Sequence, residues 1–229
     1  TVTPVANSIY DANGNAASTT QSNNTATLLD GRIAIITSFE HDGQYGQENS
    51  IIRIDSDTYL LAYKGNGGQL KTFTLSADGS TVTYITGTSF TGNNSSYHLN
   101  NDLLQIDADT YILAYSGYDA TTSYGQHIKT FKVKPDGSSI VQIGELKHDT
   151  NYGSNDYSDL VRVDHDTYAL AYYGYDGGGD NAWGCWIKTF TVNGGSITQV
   201  AKLRHYTSTT SHHSFIKVDA DTYALAWSD

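Results

Sequence analysis

Along most of the chain, large apolar side chains alternate with small or polar ones in short runs. The clearest are T-Y-L-L-A-Y from Thr58, T-Y-I-L-A-Y from Thr110, T-Y-A-L-A-Y from Thr167 and T-Y-A-L-A-W from Thr222. In an extended strand, successive side chains point to opposite faces. Tyr59, Leu61 and Tyr63 therefore share one face and Ala62 lies on the other. The same holds for Tyr111, Leu113 and Tyr115 against Ala114, for Tyr168, Leu170 and Tyr172 against Ala171, and for Tyr223, Leu225 and Trp227 against Ala226. Such a period of two, with no sustained helical period anywhere, predicts an all-β protein with almost no helix. It also predicts that the bulky face of one sheet packs on the small face of a neighbour.

The runs belong to a longer repeat. Each follows an I-D-x-D or V-D-x-D element, and the Asp before its Thr falls at Asp57, Asp109, Asp166 and Asp221, at intervals of 52, 57 and 55 residues. The first three are followed by a Gly-rich loop, then L-K-T-F from Leu70, I-K-T-F from Ile128 and Ile187, then a D-G or G-G turn and a further apolar run. Each unit thus reads as four strands, a to d. A four-stranded sheet buries neither face alone and must stack on its neighbours, which is the logic of a propeller blade. The last unit stops after strand b. Thr25-Ala-Thr-Leu-Leu-Asp-Gly31 aligns with Thr189-Phe-Thr-Val-Asn-Gly-Gly195, so residues 25–41 read as strands c and d of that fourth blade. The expectation is a single four-bladed β-propeller over residues 25–229, four antiparallel strands per blade, closed two-plus-two by N- and C-terminal strands. Residues 1–24 match no blade and read as an N-terminal extension.

Composition refines this picture. The chain carries 18 Tyr, 22 Gly and only two Pro, as short strands with tight turns require. With 24 acidic against 13 basic residues, its net charge of −11 disfavours nucleic acid as a partner. Apolar runs such as Ile33 to Ile36 fall far short of the roughly 20 residues of a membrane-spanning helix, so membrane insertion is not expected. The chain has no Met and begins Thr-Val-Thr-Pro, which fits a removed signal peptide or a piece cut from a longer protein; the expectation is a secreted or cell-surface protein. Its single Cys185 forms no internal disulfide and leaves the compartment open.

Several groups of residues offer candidate chemistry. The repeated D-x-D-T reads first as an Asx-type turn in the a-to-b hairpin, with calcium as the alternative reading of its paired carboxylates. Arg53, Gln105, Arg162 and Lys217 share one position of strand a and read, beside Asp55, Asp107, Asp164 and Asp219, as a salt-bridged ring. The buried Tyr hydroxyls need partners, and the Thr of K-T-F is a candidate. His41-Asp42, His148-Asp149 and His205-Tyr206 end strand d, and their repetition argues for a structural hydrogen bond. Adjacent His212 and His213 make a weak zinc pair, because neighbours on a strand diverge.

Function is sought where the repeats differ, on the face carrying the b-to-c and d-to-a loops. Tyr45, Tyr97, His98, Tyr118, Asp119, Tyr124, Tyr152, Tyr175, Asp176, Asp180, Trp183, Trp186, His212 and His213 are placed there as ligand-binding candidates. Aromatic rings beside carboxylates and amides suit a glycan or surface polysaccharide: rings stack on the pyranose and polar groups bond its hydroxyls. No catalytic residue is assigned, since no nucleophile elbow, zincin motif or phosphate loop occurs.

The phrase D-x-D-T-Y-x-L-A-Y-x-G, with I-K-T-F and D-G-S after it, resembles the blade repeats of uncharacterised microbial surface proteins, and the blade count is that of hemopexin-like propellers. The resemblance spans residues 25–229 and implies an architecture. The expectation is an extracellular lectin-like adhesion module with several quasi-equivalent sites. The alternative is a structural subunit of a surface layer or filament, self-associating through residues 1–24.

Overall fold

The structure is a computed structural model, described over residues 35–43, 45–91, 99–118, 124–149, 158–176, 182–208 and 211–228. The chain divides into two compact units, Thr1–Ser38 and Phe39–Asp229. Of the first, residues 35–38 are described and carry no strand. The expected boundary between residues 24 and 25 lies outside the described residues.

All strands described belong to the second unit, and no helix occurs among the described residues. The first sheet runs β1 (Gln47–Arg53), β2 (Thr58–Gly65), β3 (Gly67–Leu75) and β4 (Val82–Ser89). The second runs β5 (Leu99–Gln105), β6 (Thr110–Tyr118), β7 (Tyr124–Val133) and β8 (Ile140–Asp149). The third runs β9 (Asp159–Arg162), β10 (Thr167–Asp176), β11 (Ala182–Asn193) and β12 (Ser196–Tyr206), and the fourth pairs β13 (Ser211–Lys217) with β14 (Tyr223–Ser228). Every pairing is antiparallel between consecutive strands, in the expected a-b-c-d order. The architecture is a repeated, propeller-like all-β fold in which the first strands β1, β5, β9 and β13 are neighbours in series.

Bulky faces pack on small ones as the alternation requires. Tyr111, Leu113, Tyr115 and Phe131 of the second sheet meet Leu60, Ala62 and Leu70 of the first. Tyr168, Leu170, Tyr172, Trp186 and Phe190 of the third meet Ile112, Ala114 and Ile128 of the second. Burying a large side chain in such a layer contributes roughly 1.5–3 kcal/mol, so these interfaces dominate the stability of sheets that are thin on their own.

The turns between first and second strands are the expected Asx turns. Asp55 Oδ1 accepts from Asp57 N at 3.1 Å and Thr58 N at 2.9 Å. Asp107, Asp164 and Asp219 repeat the arrangement with Thr110 N at 2.9 Å, Thr167 N at 3.0 Å and Thr222 N at 2.9 Å. Backbone amides thus hold Asp55, Asp164 and Asp219 below the usual carboxylate range. The turns between third and fourth strands place Gly79, Gly137 and Gly194 at φ of 73°, 70° and 57°, where a side chain would be strained.

Polar clasps join neighbouring sheets. Ser50 Oγ accepts from Leu103 N at 3.2 Å, Asp102 from Leu160 N at 2.5 Å and Asp159 from Phe215 N at 2.6 Å. The Thr of K-T-F is a second clasp and not the partner of a Tyr hydroxyl. Thr72 Oγ1 donates to Gly137 O at 2.7 Å and Thr130 Oγ1 to Gly194 O at 3.1 Å, each in the turn of the next sheet. The expected ring of salt bridges is also corrected. Arg162 Nε and Nη2 donate to the backbone carbonyls of Asp164 and His165 at 2.8 Å each, and Lys217 donates to Val163 O. The neighbouring Asp carboxylates are committed to their turns.

The expected closing strands, residues 25–41, lie mostly outside the described residues, and residues 35–41 carry no strand. His41 nevertheless packs edge-on against Tyr63 at 4.7 Å, and Lys71 donates to its carbonyl. This contact has counterparts at the other junctions. The bulky face of the first sheet also borders a groove of about 280 Å³ lined by Phe39, His41, Asn49, Ile51, Leu61, Phe73 and Val82.

Candidate functional site

The end of the sheets that carries the second-to-third and fourth-to-first connections is where the repeats diverge. Its framework is built from one ring at the end of each fourth strand, Phe90 directly after β4, His148 and His205 one residue before the ends of β8 and β12. Phe90 packs against Tyr115 at 5.0 Å, His148 against Tyr172 at 5.2 Å and His205 against Trp227 at 5.1 Å, each on the second strand of the following sheet. The Lys of K-T-F then ties the carbonyl of that residue. Lys129 Nζ donates to Phe90 O at 2.6 Å and Lys188 Nζ to His148 O at 2.9 Å. These lysines were not anticipated, although a charged residue repeated at one position of an otherwise apolar strand was the available signal.

The His-Asp pairs do not bond to each other. The imidazole packs on the Tyr ring, and the carboxylate takes the hydroxyl, Tyr172 Oη donating to Asp149 Oδ2 at 3.4 Å. Burial, and then the nearby Asp42 carboxylate, push the Tyr63 phenol up to about 12. Burial of the ring, reinforced by the Lys188 ammonium, holds His148 well below the usual imidazole range. These pairs build the junctions.

Four candidates belong to the interior. Trp186 is 1% exposed in the core of the third sheet, its indole N–H donating to Gly174 O at 3.2 Å. Tyr124 is buried and shares a hydrogen bond of 2.9 Å with Ser116 Oγ. Asp176 is buried between Lys188, at 3.2 Å, and Lys202. Burial alone would raise its carboxyl, but the two ammonium groups bring it below the usual range. His213 is buried beside His205. Proximity to the variable loops misplaces Tyr124, Asp176 and Trp186, because the long hairpins of the second and third sheets continue pairing up to the loops and side chains there are still covered.

Others are at the surface. Trp183 is 40% exposed at the start of β11, with Tyr173 stacked on it at 5.7 Å and Tyr175 tilted against it at 5.4 Å. Arg204 donates to the Trp183 carbonyl and fixes the strand at that point. Tyr118 stands edge-on to Tyr124 at 5.4 Å, at the tip of the second sheet. Tyr45 is 46% exposed and its amide donates to Asp42 Oδ1 at 2.9 Å, while His212 is exposed on β13. Tyr97, His98, Asp119, Tyr152 and Asp180 lie outside the described residues. The structure therefore brings Tyr175 and Trp183 together and adds Tyr173 to them, while Tyr45 lies in the segment before β1 and Tyr118 at the end of β6.

No protein-family model matches this sequence, and no curated protein does. A solved structure of a protein from Lactobacillus plantarum is similar at 12% identity and a TM-score of 0.29, over 76% of this chain. The match takes in 64% of that protein's length, less than two thirds of it. A likeness of this size carries no inference about function.

Proposed function

We propose that the protein is an extracellular glycan-binding, lectin-like adhesion module built on a closed four-bladed propeller. The observation behind the glycan reading is the exposed Trp183 ring flanked by Tyr173 and Tyr175 at the divergent end of the third sheet. A rigid, half-open aromatic platform is what stacking on the apolar face of a pyranose requires. A single platform binds weakly, and quasi-equivalent tips such as Tyr118 on the second sheet raise strength through multivalency. The test is a broad glycan array, in calcium and then in chelator. Saturable binding that disappears in Trp183→Ala is the expected result, and a blank array in both conditions removes the reading.

Closure is supported by His41, which meets Tyr63 and Lys71 as Phe90 meets Tyr115 and Lys129, and as His148 meets Tyr172 and Lys188. Residues 25–41, by their alignment with the third and fourth strands of the other units, are the segment proposed to complete the fourth sheet. In this arrangement Leu28 corresponds to the buried Val192, so Leu28→Ala lowers stability by about 2–5 kcal/mol. An unchanged denaturation midpoint excludes closure by this segment.

The reading as a self-associating surface-layer or filament subunit has one observation in its favour. The outermost strands expose Tyr84, Val141, Val200 and Leu203. Apolar side chains on edge strands invite pairing with other copies. Sedimentation of the full chain over a range of concentrations separates the two readings, since a lectin module of this kind stays monomeric.

A further inference from the structure

The repeats give each junction between sheets three facing positions at the divergent end. One is near the start of the third strand, one at the end of the fourth, and one on, or directly before, the first strand of the next sheet. Pairing registers establish the equivalence. Cys185 pairs with Tyr206, directly after His205, as Gln126 pairs with Asp149, directly after His148. His213 pairs with Trp227 as Asn101 pairs with Tyr115. The first junction thus holds Gly68, Phe90 and Asn101, the second Gln126, His148 and Ser158, and the third Cys185, His205 and His213. Only the ring that ends the fourth strand follows the repeat; at the third junction both of its neighbours have become metal-ligand types.

We propose that Cys185, His205 and His213 form a binding site for one zinc-class divalent cation at the junction of the third and fourth sheets. One ligand atom from each residue lies within 4.8 Å of the other two. Tetrahedral zinc, with Zn–N of about 2.0–2.1 Å and Zn–S of about 2.3 Å, sets such atoms roughly 3.3–3.6 Å apart. Side-chain rotation of about 1 Å covers the difference. Cys185 is fully buried, His213 is nearly so, and both ring nitrogens of His205 are shielded from solvent without a hydrogen-bond partner. His148 is in the same condition, but the positions facing it are Gln126 and Ser158, whereas those facing His205 are Cys185 and His213. The rings of His205 and His213 stand perpendicular at 5.9 Å, braced by Trp227 against His205. A bulge in β13, with His212 at φ 61°, turns His212 outward and His213 inward. The pair of adjacent histidines is thereby replaced as a ligand set by three residues from three strands.

Binding displaces the Cys185 thiol proton, and the three protein ligands leave a fourth position for water.

Cobalt(II) is the probe, because a thiolate–cobalt bond gives a near-ultraviolet charge-transfer band and a tetrahedral site gives intense visible bands. The full chain is expected to take up one cobalt ion with both signatures and to lose them when zinc is added. Cys185→Ser removes the charge-transfer band. His205→Phe keeps the ring that Phe90 already supplies at the equivalent place, as circular dichroism checks, yet weakens binding by more than the roughly 10–100-fold of an outer-shell change. His212→Ala leaves binding unaltered. The site is overturned if the full chain gives no charge-transfer band, if the band persists in His205→Phe, or if binding depends on His212 and not on Cys185.

Discussion

The turns that join first and second strands are one structure made four times, whereas the three hairpins that join second and third strands among the described residues all differ. At the uniform end, Asp55, Asp107, Asp164 and Asp219 accept the same two amides at nearly the same distances. At the divergent end, the first sheet turns tightly between Gly65 and Gly67, the second ends in Tyr118 and Tyr124, and the third carries Tyr175 and Trp183. A repeated contact is retained because each sheet needs it in order to fold. A side chain that appears in one repeat alone serves something else, and both proposed sites sit among such side chains.

This contrast breaks most visibly at the buried lysines, which belong to the scaffold although they lie at the divergent end. Lys188→Met leaves Asp176 and the His148 carbonyl short of a donor, so denaturant unfolding is expected to show a loss of about 3–5 kcal/mol. Lys132→Met, which removes an exposed ion pair with Asp109 at 3.0 Å, costs less than about 1 kcal/mol.

The clasp at Asp102 produces a pH dependence. Burial, and secondarily the Asp159 carboxyl, push Asp102 up to about 7. Below the unfolded value near 3.8 both states hold the proton; between there and about 7 only the folded chain does. Stability is therefore full at low pH, falls as pH rises through about 7, and then levels off, by on the order of 2 kcal/mol between about pH 5 and pH 7. Asp102→Asn still accepts from Leu160 N and is expected to flatten this part of the midpoint-against-pH curve.

At the uniform end, Asp164→Ala and Asp107→Ala should each cost about 1–2 kcal/mol, because each removes the acceptor of two backbone amides. Equal losses at the two positions would confirm that the turns are interchangeable. The smallest effect on stability belongs to Trp183→Ala, within about 0.5 kcal/mol, although it is the change expected to abolish glycan binding. A large loss of stability there would return Trp183 to the scaffold.

Some of the site was legible before any coordinates. The break in the repeat points to Trp183 and Tyr175, and the structure brings the exposed Trp183 and the half-buried Tyr175 together. Trp186, Tyr124 and Asp176 were named by the same reasoning and proved buried, because loop proximity says nothing about whether an adjoining sheet covers a side chain. Trp183 and Trp186, three residues apart on one strand, point to opposite faces, and one of those faces meets the second sheet.

Strand spans, the Tyr and Ala faces, the Asx turns and the four-unit repeat are consequences of local chemistry. Alternation and turn-forming side chains act within a few residues, so the amino-acid sequence alone determines them. The lysine and threonine clasps, and the meeting of Cys185, His205 and His213, depend on how one sheet is rotated onto the next. That rotation is settled by packing over the whole layer, and only the tertiary structure decides which distant side chains it brings within reach.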